Sequence, residues 1–101
     1  MQADSLGFSA AARVAAAEAR RLGLRVPSFR SPPGLPGCVR TIRHSRGGVV
    51  VAVAVRGRSI QDVIADLVDG IIVANGLTAA KATRCRFRLT AALDAAQRAA
   101  A

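Results

Sequence analysis

The chain has 101 residues, among them 22 Ala, 14 Arg and 11 Val, with three Phe and no Trp or Tyr; fifteen basic against six acidic side chains leave a net charge of +9. A chain this short uses most of its buried surface for a core, which argues against an enzyme with a large cavity. Two cysteines close at most one bridge, which argues against a disulfide-stapled miniprotein.

Apolar residues larger than Ala recur in periodic runs, so a single domain over 1–101 is expected rather than disorder. The first element is a helix from Ser9 to Leu22. Ser9 is its expected N-cap, the alanine run favours helix, and Gly23-Leu24 has the form of a Schellman stop. Its apolar stripe is thin: Ala11, Val14, Ala15 and Leu22. All four prolines (Pro27, Pro32, Pro33, Pro36) then fall within ten residues. Arg25 to Gly37 therefore reads as an extended arm, neither helix nor interior strand.

An antiparallel hairpin is expected next, with strands Val39–Arg46 and Val49–Arg56 around a Gly47-Gly48 turn. That turn sets Ile42 opposite Val53 and His44 opposite Val51. One face collects Ile42, Val49, Val51, Val53 and Val55; the other carries Thr41, Arg43, Val50, Ala52, Ala54 and Arg56.

Ser59 caps a second helix running to about Ala74. Its stripe is Ile60, Val63, Ile64, Leu67, Ile71 and Ile72, and Asn75-Gly76-Leu77 stops it. Gly70 costs a helix interior about 1 kcal/mol, so it is expected to mark close packing on the sheet or the first helix. From Thr78 onward the sequence predicts a third helix with Ala82, Cys85, Leu89, Leu93 and Ala96 on one face. Phe87 speaks against it, because it would lie opposite Cys85 and Leu89; the alternative is a third strand over 83–89. The expected fold is α+β, in the order α-β-β-α-α, with helices on the Val-rich face of the hairpin. An isolated hairpin is barely stable, so a homodimer through the hairpin is expected.

The longest uncharged apolar stretches, Gly47–Val55 and Gly70–Ala80, are shorter than the ~18 residues that cross a bilayer, so no membrane partner is expected. Nor is a secretory signal; the Ala/Arg bias is that of a high-GC bacterial genome. The expected location is cytoplasmic, with Cys38 and Cys85 reduced.

Charge is unevenly spread. Residues 1–58 sum to +8, residues 59–79 to −3 and residues 80–101 to +4. Arg supplies nearly all of the cations, and its planar fork suits phosphate oxygens. A domain this basic is expected to bind polyanions through counterion release. Residues Ile71 to Arg84 resemble the middle of a helix-turn-helix, with Gly76 at the turn, apolar Leu77 after it and Thr78 capping the following helix. The resemblance implies a recognition helix on which Lys81, Arg84 and Arg88 form one polar stripe.

Further expected contacts are Arg43, Arg46, Arg56 and Arg58 on the hairpin, and Arg25 and Arg30 on the arm. Without Tyr or Trp, stacking on single-stranded bases is not expected, so the expected partner is duplex nucleic acid, DNA before RNA. The alternative is an adaptor that binds an acidic protein. Enzymatic signals are poor. His44, Cys38 and Cys85 match no zinc spacing, and Asp62, Asp66 and Asp69 read as the polar side of a helix. A small RNase with His44 as general acid or base is the weakest reading. No catalytic residue, metal or cofactor is expected.

Overall fold

The computed structural model describes residues 6–30, 40–45, 48–55 and 57–100, of which 40–45 and 48 at the level of the backbone. The elements are α1 (Phe8–Arg21), β1 (Ser28–Arg30), β2 (Arg40–Ser45), β3 (Gly48–Val53), α2 (Ile60–Asn75) and α3 (Ala79–Ala100). The class is α+β, but the order is α-β-β-β-α-α. The sheet is not a lone antiparallel hairpin. β3 lies at its centre, with β1 paired parallel on one side and β2 antiparallel on the other.

β1 corrects the free arm expected over 25–37. Ser28, Phe29 and Arg30 stand opposite Val50, Val51 and Ala52. These three residues fall between Pro27 and Pro32, so they keep their N–H groups, and an edge position tolerates the flanking prolines. Residues 31–37 of the arm lie outside the described residues. The register of β2 on β3 also differs from expectation: Ile42 stands opposite Val51, His44 opposite Val49, and Gly48 pairs with Ser45 instead of turning. The difference is a slip of two residues along β3. A slip of two preserves which residues share a face, so alternation of apolar and polar residues cannot detect it.

The helices follow from local chemistry. α1 starts one residue earlier than expected, capped by Gly7 without a side-chain bond. It ends in a Schellman pair, Gly23 N–H to Arg20 O at 3.0 Å and Leu24 N–H to Ala19 O at 2.9 Å, with Gly23 at φ +74°. The hydroxyl of Ser59 accepts the Asp62 N–H at the start of α2, and Gly76 closes that helix in the left-handed region at φ 56°. α3 is one continuous helix of 22 residues, so the alternative strand over 83–89 is not formed.

The core lies between the sheet and the helices. Val49, Val51 and Val53 of β3 are buried against Val63, Ile64, Leu67, Val68, Ile71 and Ile72 of α2. Cys85, Leu89 and Leu93 of α3 close the cluster together with Ala11, Ala15 and Ala19 of α1. Alanines on α1 let that helix approach closely while contributing little area each. The Leu6 N–H donates to Gln97 Oε1 at 3.0 Å, tying the start of the described chain to α3.

Two contacts fix the arrangement. A Cβ built on Gly70 would lie 2.7 Å from Val51 Cγ1, so α2 rests directly on the central strand there. Asn75, at the end of α2, accepts the Arg25 N–H at 2.8 Å and donates from Nδ2 to Arg25 O at 3.0 Å and Ile71 O at 2.8 Å. One amide thereby holds the segment leading into β1.

Gly70→Ala is expected to destabilise the fold by about 1–2 kcal/mol in urea unfolding, because overpacking against a stiff buried valine outweighs the gain in helix propensity. Combined with Val51→Ala the loss is expected to be less than additive by about 1 kcal/mol; additive effects would contradict the contact. Asn75→Ala is expected to cost about 1 kcal/mol and to abolish the hydrogen-exchange protection of the Arg25 amide. Asn75→Asp is expected to do at least as much damage, since it loses both donations and puts a negative charge at a helix C-terminus.

Candidate functional site

Three described cations meet a carboxylate: Arg21 meets Glu18 at 3.3 Å on the open surface, Arg58 meets Asp66 at 2.6 Å, and Arg86 meets Asp69. Arg58 also donates to Ala54 O at 2.9 Å, and its side chain is only 10% exposed. That guanidinium is engaged inside the molecule, at the junction of β3 and α2, and does not project as a phosphate contact would. The acidic residues of α2 are therefore partners for neighbouring arginines as well as polar surface. Asp62 instead sits in the first turn of α2, where its charge favours the helix dipole.

Lys81, Arg84 and Arg88 are exposed on α3, and none meets a carboxylate among the described residues; the same holds for Arg13, Arg20, Arg25, Arg30 and Arg98. The spacing of three and four residues sets Lys81, Arg84 and Arg88 along one flank of the helix, beside the side that buries Cys85. Arg25 and Arg30 are exposed elsewhere, before and within β1. The side chain of Arg43 lies outside the described residues, as do Arg46 and Arg56 altogether.

Phe87 stands between Arg84 and Arg88, and it is 73% exposed. The other two phenylalanines, Phe8 and Phe29, pack against the core. Thr83, Arg84, Phe87 and Arg88 line an open depression of about 460 Å³. The sequence did carry this signal. Phe87 counted against a helix because the helix would turn it outward; the helix forms nonetheless, and the ring is turned outward.

The corner between α2 and α3 has the Gly76-Leu77-Thr78 sequence of the expected turn, with the Thr78 hydroxyl accepting the Lys81 N–H at 3.4 Å. Asp69 of α2 and Arg86 of α3, each about two turns from this corner, form an ion pair across it.

Cys85 is buried on α3 at 4% exposure. Cys38 and the side chain of His44 lie outside the described residues. Among the described residues no three His, Cys, Asp or Glu side chains gather as metal ligands would, and no helix is long and apolar enough to cross a membrane. No protein-family model matches this chain, and no curated protein and no solved structure matches it either.

Proposed function

We propose that this protein is a cytoplasmic, non-catalytic domain that binds duplex nucleic acid through the outer face of α3, with Lys81, Arg84 and Arg88 neutralising phosphates. One observation carries the reading: these three cations gather within two turns of one exposed helix flank and engage no described carboxylate, whereas Arg58 and Arg86 are drawn to Asp66 and Asp69 of α2. Cations left in water keep their counterions until a polyanion displaces them, and that release drives binding. Paired arginines have less to gain.

Arg43, Arg46, Arg56, Arg25 and Arg30 belong to the proposal as secondary contacts, since a net charge of +9 attracts the same polyanion from every side. Arg58 is left out. α3 would engage the duplex as a surface helix flanked by α1 and α2. A homodimer through the hairpin would have to form along the outer edge of β2, because β1 occupies the other side of β3.

Affinity for a mixed-sequence DNA duplex, measured by fluorescence anisotropy across a salt series, is expected to fall with a log–log slope of about −0.9 per phosphate contacted, hence roughly −2.7 for three. Arg84→Ala with Arg88→Ala is expected to make the slope shallower by roughly 1.8. An unchanged slope in that double variant, together with its loss on changing Arg43, Arg46 and Arg56, would move the reader to the hairpin. Absence of binding at about 50 mM salt would leave the acidic-protein adaptor as the better reading.

A further inference from the structure

We propose that Phe87 is a base-contacting residue that reads thymine methyl groups in the major groove, so that the nucleic acid bound by α3 is DNA. The inference rests on the phosphate-binding reading of Lys81, Arg84 and Arg88 and adds what those charges lack, a contact that differs between base pairs. Phosphate contacts position a protein on the duplex; contacts to base edges supply sequence information.

Three features of α3 argue for this. The ring is 73% exposed although the helix has a fully formed apolar face on its other side. Leaving a phenylalanine in water forgoes its burial, and here the exposed ring shares one open depression with Arg84 and Arg88. Phe87 points almost directly away from Cys85, Leu89 and Leu93, with Arg84 and Arg88 about 60° and 100° round the helix to one side, so an approach that seats the ring on the groove floor sets both arginines toward one phosphate wall.

The rest of that face is slim. Ala80, Ala91 and Ala95 are exposed on α3, which keeps the helix near the 10–12 Å diameter that a major groove about 12 Å wide admits. Within that groove the C5-methyl of thymine is the apolar feature, and alanine, threonine methyl and phenylalanine are the side chains that meet it. Thr83 beside Phe87 in the lining of the depression fits the same chemistry. An acidic protein would satisfy the charges equally well. A stable protein interface, however, buries a broader patch, and on α3 Phe87 is the one exposed large apolar side chain among the described residues.

The test compares one A·T-rich DNA duplex with the same duplex carrying deoxyuridine in place of thymidine, which removes methyl groups and leaves charge unchanged. The full chain is expected to bind the uridine duplex more weakly, by roughly fourfold for each contacted methyl. Phe87→Ala is expected to lose most of this discrimination while keeping the salt slope of the unmodified chain, and Phe87→Leu to retain more of it. Because the ring is exposed, neither change is expected to alter Tm. Equal affinity of the unmodified chain for the two duplexes, with its salt slope intact, would overturn the role of Phe87 and leave phosphate binding standing. Binding to polyglutamate but to neither duplex would overturn the phosphate reading itself.

Discussion

The seat of α2 on the central strand is the constraint on which the rest of this structure depends. Gly70 has no side chain to hold the helix away from Val51, and Val51 is itself flanked in the ladder by Phe29 and Ile42. All three strands are thus registered at the level where the helix touches. Once α2 is seated, Gly76 turns the chain and α3 returns with Cys85, Leu89 and Leu93 pointing into the core. Packing of α1 along the same helix completes the choice of which side of α3 faces water, and Phe87 lies on that outward side.

The same arrangement sorts the charges. α2 carries Asp66 and Asp69 to the two places where arginines approach it, Arg58 from the end of the sheet and Arg86 from α3. Both pairs are partly shielded from water, so each carboxylate removes a cation from the set available to a partner. What remains on the first half of α3 is a flank with three cations beside an aromatic ring, with Arg98 further along the helix.

The helices were legible because their signals are local. Ser59 and Gly76 bound α2 where the sequence puts them, and the stripe from Val63 to Ile72 is the buried one. Gly70 was legible as a close approach, although only the structure names Val51 as the neighbour. The sheet was less legible because its information is not local. Three residues between prolines are too few to announce β1, and its partner strand lies some twenty positions away. The two-residue slip of β2 is silent in any alternating pattern. For the site, Lys81, Arg84 and Arg88 could be grouped by spacing alone. The engagement of Arg58 could not, since its carboxylate is eight positions away on a different element.

Phe87 is the instructive case. In sequence it was a local conflict, a large apolar residue on the wrong side of a helix, and such conflicts tend to survive where function maintains them. The most direct measurement of the account is a backbone amide NMR titration of the full chain with a short DNA duplex. The account expects the largest shifts at residues 81–91, with the ring resonances of Phe87 moving together with them. Shifts confined to residues 40–58, with α3 unmoved, would contradict it.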